Sequence, residues 1–359
     1  MAERFLRPES SKRFGRRHTP DDRFAARTPA ETALLQSAPA PDWVEPMLAT
    51  LTDRRFSDPA WIFERKFDGI RCLSFRHGSV VRLLSRNRER LDTTYPEIAD
   101  EVAAQAGNDF VIDGEVVAYE GSRTSFELLQ QRSGITDARR ARSSPVRVRY
   151  YVFDIVYLDG HDTRFVPLRA RKQLLRSAIT FRGPLKFTTH RNGEGERFFE
   201  QACTWGWEGL VAKRADSTYA SRRSPDWLKF KCAHGQEFVV GGFTEPRGSR
   251  IGFGALLVGY YDDDGSLRYA GKVGTGFNDA VLRQLSETMD KLQVKTSPFA
   301  RDRGFERGTH FVRPELVVQV GFAEWTREGL LRQPRFQGVR QDKSAREVKK
   351  ERPLESGRR

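Results

Sequence analysis

The residues with the clearest chemical potential form the pattern Lys-x-Asp-Gly-x-Arg at positions 66–71, directly after an apolar, strand-like run. A lysine set among cationic groups has a lowered pKa, and its neutral amine can attack phosphorus or carbonyl carbon. Asp68-Gly69 allows a sharp turn after Lys66, and Arg71 offers a fixed donor to a phosphate. The same residues also fit a β-hairpin with a solvated, charged turn. This motif alone leaves both interpretations open.

Three more positions could hold phosphates or a metal ion. Arg86 lies in a polar loop with two further arginines, whose planar guanidinium groups suit phosphate, although such loops are often plain solvated surface. Glu115 and Glu208 are each predicted to begin a strand, Glu115 after an Asp-Gly turn. A carboxylate there can bind a divalent ion or ribose hydroxyls. The alternative for both is a strand glutamate that faces water.

A second group of candidates lies further along the chain. Phe153 belongs to a strand-like apolar run, where core packing is the default and stacking on a base is the alternative. Lys229 and Lys231 are two residues apart and therefore share one face of a strand. A polyphosphate between them would relieve their repulsion, and the pair would lower the pKa of Lys66 if the strands adjoin. The run 340–343, Arg-Gln-Asp-Lys, is by itself an ordinary charged turn.

Length and charge narrow the class of protein. The 359 residues suffice for two domains with proper cores. Charged residues make up 31% of the chain, and the formal net charge of +14 favours polyanionic partners, with nucleic acid first. No apolar run approaches the ~20 residues that span a bilayer, and the N-terminus lacks the apolar region of a secretory signal. A cytoplasmic protein is therefore expected.

The cysteines and histidines argue against two kinds of site. Cys72, Cys203 and Cys232 are an odd, widely spaced set, which argues against a disulfide framework and suits a reducing cytoplasm. Three cysteines also exclude a four-cysteine zinc site built from this chain alone. The six histidines are scattered and form no His-x-x-x-His pair.

Hydrophobic patterning predicts an α+β domain followed by a β-barrel. Within residues 43–235, strands are predicted at 61–63, 80–84, 110–112 and 150–153, and helices at 95–106, 125–131 and 168–179. Residues 236–345 show strand-like runs at 238–243, 255–261 and 316–320 with one helix at 279–291, a pattern typical of an OB-fold. Residues 1–42 are predicted to be a basic, partly disordered arm, and 346–359 a charged tail. A helix that frays into this tail is predicted from 343 onward, and a hinge near 233–235.

Taken in order, these motifs resemble the covalent nucleotidyltransferase superfamily of ATP-dependent DNA ligases, RNA ligases and mRNA-capping guanylyltransferases. The segments 63–69, 208–213 and 334–340 look most like bacterial ATP-dependent DNA ligases. Within that group the likeness is greatest to the ligase domain of end-joining repair ligases and their stand-alone relatives. The resemblance covers about residues 43–345 and implies a nucleotidyltransferase domain of mixed antiparallel sheets and helices, followed by an OB-fold.

The resemblance also implies a role for each candidate residue. Lys66 would form a lysyl-AMP, and the AMP would pass to the 5′-phosphate of a DNA break before the 3′-hydroxyl displaces it. By resemblance, Glu64 and Phe153 would bind adenine, Arg71 and Arg86 would bind phosphates of the nucleotide or nick, and Arg223 would contact the nucleotide. Lys229 and Lys231 would bind the α-phosphate, and Arg340, Asp342 and Lys343 would bind the pyrophosphate. Glu115 and Glu208 would bind a divalent ion, with ribose as the alternative for Glu115.

Cofactors and partners follow from the same resemblance. ATP is the expected AMP donor, because the four-cysteine zinc finger typical of NAD-dependent ligases is missing, and Mg²⁺ or Mn²⁺ is the expected metal ion. The expected substrate is nicked or broken duplex DNA in DNA repair, in a monomeric, nucleoid-associated protein. A DNA end-binding protein and a repair polymerase are further candidate partners. The alternative functions are those of an RNA ligase or a capping-type guanylyltransferase. With only about 42 residues before the core, no all-helical DNA-binding domain is expected there.

Overall fold

A computed structural model describes residues 28–105, 107, 109–232, 235–246, 248–300 and 304–352. Strands make up most of the regular secondary structure in these residues. Residues 1–27 of the predicted basic arm lie outside the described residues, and so do residues 233 and 234 of the predicted hinge. None of the helices in the described part of the chain combines the length and apolarity that crossing a bilayer requires.

The helices are short and begin with local signals. Pro96 occupies the first turn of one helix, Ser125 Oγ accepts the Leu128 N–H of the next at 3.2 Å, and Asn278 caps the helix of the second domain. The helices predicted at 95–106, 125–131, 168–179 and 279–291 are confirmed within a few residues at each end. In chain order they are α1 (Pro29–Ala33), α2 (Pro96–Ala103), α3 (Phe126–Ser133), α4 (Ala138–Arg142), α5 (Leu168–Ala178), α6 (Gly195–Thr204) and α7 (Asp279–Asp290).

The strands include every strand predicted from the sequence. Those up to residue 231 are β1 (Gln36–Ser37), β2 (Leu48–Leu51), β3 (Trp61–Lys66), β4 (Ile70–His77), β5 (Val80–Ser85), β6 (Phe110–Glu120), β7 (Arg123–Thr124), β8 (Val148–Leu158), β9 (His161–Asp162), β10 (Leu185–Phe187), β11 (His190–Asn192), β12 (Gly209–Arg214) and β13 (Arg223–Lys231). The others are β14 (Gly235–Thr244), β15 (Leu256–Tyr261), β16 (Leu267–Val273), β17 (Gln293–Val294), β18 (Thr309–Val312), β19 (Val317–Gly321), β20 (Glu324–Trp325), β21 (Leu331–Arg332) and β22 (Arg335–Val339).

Two sheets form the α+β part of the chain, as predicted. The first has the order β1-β9-β8-β6-β4-β5, with β10 added to β8 and β7 added to β6. The second has the order β11-β3-β12-β13-β2. Helices α2, α3 and α5 pack on the first sheet and α6 packs on the second, and each sheet has its own buried apolar cluster. The space between the sheets is therefore enclosed by strands that carry most of the motif residues.

The segment around Lys66 connects these two sheets and is not a β-hairpin. Strand β3 pairs with β11 and β12, whereas β4 pairs with β5 and β6. A Cβ atom on Gly69 would lie 2.2 Å from the Val116 carbonyl oxygen, so only glycine permits this close crossing. The hairpin interpretation is wrong, and Lys66 ends a strand at the seam between the sheets.

The second Asp-Gly pair does not form a turn either. Asp113 and Gly114 lie inside β6, so the prediction that Glu115 begins a strand after a turn is wrong. A Cβ atom on Gly114 would lie 2.5 Å from the Tyr151 carbonyl oxygen in β8, and the register of the two strands shifts at this point. Glycine serves here for close packing of neighbouring strands, and Glu115 is carried by the middle of a long strand.

The third sheet forms the OB-fold that the sequence predicted. Its main path is β16-β15-β14-β18-β17, and β14 also pairs with β19, which pairs with β22. Helix α7 contributes Leu282, Leu285 and Met289 to the barrel core. This barrel touches the first domain through β22, where a Cβ atom on Gly338 would lie 2.8 Å from the Phe126 ring of α3.

The C-terminal segment departs from the prediction of a helix. Its only helical turn within the described residues is a 3-10 turn at Ala345–Glu347, and residues 348–352 contain no helix. Val348 is fully buried in the barrel, and its carbonyl oxygen accepts the Tyr261 N–H at 2.8 Å. Contacts with the barrel therefore override the local helix pattern.

A disulfide joins Cys203 in α6 to Cys232, which directly follows β13. The cysteine spacing argues against a disulfide framework, and this single disulfide is not predicted by it. The two residues are 29 positions apart in sequence, yet both pack against the apolar cluster of the second sheet. Cys72 is free and buried in β4.

Candidate active site

A cavity of about 210 Å³ lies between the two sheets and the barrel. All the candidate residues from the sequence line it except Lys231 and Glu208, and these two contact residues of its wall. The candidates that line it are Glu64, Lys66, Arg71, Arg86, Glu115, Phe153, Arg223, Lys229, Arg340, Asp342 and Lys343. The fold thus brings residues that are up to 279 positions apart in the sequence into one site.

Lys66 enters this cavity with a carboxylate partner. Its ammonium group forms an ion pair with Glu208, which directly precedes β12, the neighbour of β3. Burial favours the neutral amine, but the Glu208 carboxylate, with Asp68 and Glu115, outweighs burial and raises the pKa of Lys66 above its usual value. The prediction of a lowered pKa is therefore wrong for this arrangement. Lys66 must lose a proton before it can act as a nucleophile.

Two carboxyl groups beside Lys66 also have raised pKa values, which favours their neutral form, whereas Lys66 is favoured in its charged form. Burial raises the pKa of Glu115 to about 8, although Arg71 and Arg340 oppose the shift. Burial and the Glu208 carboxylate raise the pKa of Asp68 to about 6. Both groups would ionise more readily if a cation were added to the cavity.

Lys229 and Lys231 lie on one face of β13, as predicted, and they share one carboxylate. Lys229 Nζ is 2.5 Å from Glu351 Oε1, and Lys231 Nζ is 2.7 Å from Glu351 Oε2. Burial and the neighbouring Lys231 lower the pKa of Lys229 to about 8, despite this ion pair. Strand β12 separates β13 from β3. The lowered pKa that was predicted for Lys66 is therefore found at Lys229, which lies near the ammonium groups of Lys231 and Lys66.

Arg71 is already engaged by a buried carboxylate. Its Nε and Nη2 donate to the two oxygens of Asp113 at 2.6 and 2.5 Å, and Nη2 also donates to the Met47 carbonyl at 3.2 Å. Tyr219 Oη donates to the same carboxylate at 2.6 Å. The guanidinium group is thereby fixed at the cavity wall, 4.6 Å from the centre of the Phe153 ring. Arg223, further along the wall, donates to the Ala49 carbonyl.

Two lysines that sequence reasoning missed lie at the deep end of the site, Lys213 in the cavity wall and Lys172 behind Glu64. Lys172 pairs with Oε1 of Glu64, and Lys213 lies 2.6 Å from Oε2. All three side chains are almost fully buried. The Lys213 ammonium lies 4.1 Å from the centre of the Phe153 ring and 4.0 Å from that of Trp227. Burial lowers the pKa of Lys213 to about 8.

A sequence signal existed for only one of these lysines. Lys213 ends the run 208–213 that was recognised as a motif, whereas Lys172 lies in an Arg- and Leu-rich helix with no distinguishing pattern. Glu351 belongs to the predicted charged tail and had no signal either.

The barrel and the C-terminal segment supply the remaining wall. Arg340 forms a two-pronged ion pair with Asp342, at 2.9 and 2.8 Å, and Lys343 Nζ is 3.0 Å from Glu237 Oε2. The Arg340 guanidinium also lies 4.5 Å from the centre of the Phe126 ring in the first domain. Arg86 pairs with Glu347 at 3.1 Å. The barrel is therefore docked against the site and already contributes cations to it.

The carboxylates near Lys66 fit the needs of a hard divalent ion. Glu208 Oε2 is buried without a hydrogen-bond partner, and Glu115 is partly buried with a raised pKa. A Mg²⁺ ion would satisfy both, since it prefers carboxylate and phosphate oxygens. No group of three or more His, Cys, Asp or Glu residues suited to a metal ion occurs among the described residues, so other ligands would have to come from a substrate or water.

Comparisons with known proteins agree on one family. A family model described as ATP dependent DNA ligase domain matches residues 46–231, and one described as ATP dependent DNA ligase C terminal region matches residues 249–343. The chain is 34% identical to a solved mycobacterial DNA ligase D complexed with ATP and MES. That match covers 85% of this chain and 97% of the other, with a TM-score of 0.61.

Curated relatives are longer than this chain. The multifunctional non-homologous end joining protein LigD of Pseudomonas aeruginosa is 38% identical over 360 residues, which cover 98% of this chain and 41% of the relative. A probable DNA ligase of Dictyoglomus thermophilum is 34% identical over 313 residues, covering 78% of this chain and 53% of the relative. The chain thus spans about two fifths to one half of the length of these relatives.

Proposed function

Because this chain belongs to the ATP-dependent DNA ligase family, we propose that it seals 5′-phosphate/3′-hydroxyl breaks in duplex DNA through a lysyl-AMP on Lys66. One observation carries the proposal. Lys66 ends a strand in a cavity whose wall also holds Lys229, Arg340 and Lys343, from the first domain and the barrel. An amine surrounded by several phosphate-type donors is the arrangement that attack on a nucleoside triphosphate requires.

The proposed reaction has three steps at phosphorus. Deprotonated Lys66 Nζ forms a bond to the α-phosphorus of ATP, and pyrophosphate leaves. The 5′-phosphate of the break then displaces lysine and takes the AMP. Finally the 3′-hydroxyl attacks that 5′-phosphorus, AMP leaves, and the phosphodiester is formed. Each step shifts negative charge between oxygens, so fixed cations and positioning supply the catalysis.

The two ends of the cavity suit the two ends of ATP. The aromatic and hydrogen-bonding groups at the deep end, Glu64 and Phe153, support adenine binding there. Lys229 and Lys231 support binding of the α-phosphate, and the barrel residues Arg340, Asp342 and Lys343 support binding of the pyrophosphate. Among the remaining cations, Arg71, Arg86 and Arg223 are proposed to contact phosphates of the nucleotide or the nick.

A magnesium or manganese ion is part of the proposal. Glu115 and Glu208 would hold it through their carboxylates, with ribose contact as the alternative for Glu115. When bound, the ion would lower the charge on the phosphates and favour attack. It would also compete for Glu208 and so free the Lys66 ammonium from its carboxylate, which favours loss of the proton.

The biological setting is proposed from the relatives. Their names include a non-homologous end joining protein, so a role in DNA break repair is proposed, with an end-binding protein and a repair polymerase as partners. These relatives are bacterial, which supports action in the cytoplasm at the nucleoid. A net charge of +14 supports DNA binding that weakens steeply as salt rises. We propose that the chain acts as a monomer.

Two experiments test the chemistry and the substrate. Incubation with α-labelled ATP or GTP, followed by denaturing electrophoresis, should label the protein from ATP. Labelling from GTP alone would instead indicate a capping-type guanylyltransferase. Sealing of nicked duplexes with DNA or RNA on each side of the nick should be fastest with DNA on both sides, and a strict need for RNA would favour an RNA ligase.

A further inference from the structure

The C-terminal segment Ser344–Glu351 places two carboxylates on cations of the cavity. Glu351 bridges Lys229 and Lys231, and Glu347 pairs with Arg86. All three cations are ones for which phosphate contacts are proposed above. The segment thus supplies negative charge where a polyphosphate would lie.

Glu351 is held in this place by more than its charge. Its N–H donates to Gln236 Oε1 at 3.1 Å, and Gln236 Nε2 donates to the Lys349 carbonyl oxygen at 3.4 Å. Three residues earlier, Val348 is fully buried in the barrel. The barrel therefore carries Glu351 into the cavity whenever it docks as it does here.

The Glu351 carboxylate opposes the factors that disfavour the charged form of Lys229. Lys229 has its pKa lowered to about 8 even with Glu351 present, because burial and Lys231 disfavour its charge. Conversely, Lys231 and Lys229 hold the pKa of Glu351 at about 2, against the effect of its burial. The carboxylate therefore stays ionised throughout the physiological range, and a phosphate that reaches both lysines must displace it.

We propose that Glu351 is an internal competitor for the phosphate subsite at Lys229 and Lys231, and that it sets the ATP concentration needed for adenylation. This rests on the proposed function for its consequence in catalysis, but the competition itself concerns only anion binding. An anion with one charge gains little by replacing Glu351, whereas a triphosphate also engages the barrel cations. The carboxylate thus favours long polyphosphates over single phosphates.

Glu351→Gln removes the charge and keeps the shape of the side chain. It should lower the ATP concentration for half-maximal lysyl-AMP formation by roughly five- to tenfold, with the maximal rate little changed. Glu315→Gln is the matched control, because Glu315 forms an exposed ion pair with Arg313 in the barrel and its loss changes the net charge equally. An unchanged or raised ATP requirement in Glu351→Gln would overturn the proposal, as would a fall in maximal rate alone, which indicates a positioning residue.

Binding of inorganic pyrophosphate separates this idea from the proposed function. In a Lys66→Ala background, calorimetry should show that Glu351→Gln binds pyrophosphate more tightly by a similar factor, and inorganic phosphate by a smaller one. Equal pyrophosphate affinities would reject the competitor even if the chain is a ligase. Failure of the unaltered chain to form lysyl-AMP would reject the ligase and leave this binding test valid.

A second variant guards against misfolding. Glu351→Asp keeps the charge but shortens the side chain by one methylene, so it should reach only one lysine well and give an intermediate ATP requirement. The melting temperature of each variant shows whether it is folded. If Glu351→Gln does not fold, an unchanged ATP requirement in folded Glu351→Asp rejects the proposal.

Discussion

The deep and outer ends of the cavity both consist of lysine or arginine paired with carboxylate, yet they are built differently. At the deep end Glu64, Lys172 and Lys213 are almost fully buried, and all belong to the first domain. At the outer end the carboxylates paired with the candidate lysines come from three places: Glu208 from the first domain, Glu237 from the barrel and Glu351 from the C-terminal segment.

This difference separates a permanent structure from an exchangeable one. Buried charges cannot lose their partner without a large desolvation cost, so the deep cluster has to stay assembled. The outer pairs are partly exposed, and two of their three carboxylates come from outside the first domain. On the proposed function, a polyphosphate would replace these carboxylates. The fold therefore fixes the deep cluster, whereas the outer pairs are the ones expected to exchange partners when a substrate binds.

The largest expected effect is at the outer end. Lys66→Ala should abolish protein labelling by α-labelled ATP, a loss of at least about a thousandfold, because no other amine replaces the nucleophile. DNA binding measured by gel shift should be largely kept, and Lys295→Ala, at an exposed position in the barrel, serves as the control. Nick sealing by Lys66→Ala with ATP would identify a different nucleophile.

Next in size is removal of a charge from the deep cluster. Lys172→Met should lower the free energy of unfolding by about 3 kcal/mol or more, since it leaves Glu64 buried beside a single lysine. Lys343→Met, which breaks the outer pair with Glu237, should cost clearly less. Thermal melting of both variants checks the comparison. Equal losses of unfolding free energy in the two variants would show that the deep and outer ion pairs stabilise the fold equally.

A smaller effect is expected at Glu115, and it depends on pH. Its pKa is raised to about 8, so the folded protein binds a proton that the unfolded chain has released above its usual pKa, and stability falls as pH rises between these values. Glu115→Gln should therefore stabilise the protein by at least about 1 kcal/mol at pH 8 and by little at pH 4.5. Melting curves without metal ions across this range provide the check. A variant that is less stable than the original at pH 8 would contradict the raised pKa.

The smallest effect is expected for the exposed pair at the cavity rim. Glu347→Gln should change the free energy of unfolding by no more than about 0.5 kcal/mol, because partly exposed ion pairs contribute little. Thermal melting at low and high salt measures this. A loss comparable to that of Lys172→Met would mean that the C-terminal segment is as permanent as the deep cluster.

Sequence patterns predicted seven of the strands, four of the seven helices in the described residues and eleven of the twenty residues that line the cavity. They could do so because apolar alternation defines the strands, and eight of the thirteen candidate residues lie on strands. The failures share a cause. Local preference predicts turns at both Asp-Gly pairs, whereas Gly69 and Gly114 allow close contacts between strands that are distant in sequence.

The sequence also did not predict ion-pair and disulfide partners that are far apart along the chain. Nothing near Lys66 indicates that Glu208 would raise its pKa, and nothing near Lys229 indicates Glu351 as its partner. The disulfide between Cys203 and Cys232 likewise depends on how α6 packs against the second sheet. Such pairings are decided by tertiary packing, which a single sequence does not display.

Gly338 lies where the barrel makes close contact with the first domain. The barrel strand β22 meets the Phe126 ring where any Cβ atom would be 2.8 Å away, so only a bare backbone lets the two domains close fully. A side chain there would act as a wedge that holds the barrel off. Because the docked barrel brings Arg340 and Lys343 to the cavity, we expect from the proposed function that such a wedge would delay lysyl-AMP formation more than the sealing of DNA that already carries AMP.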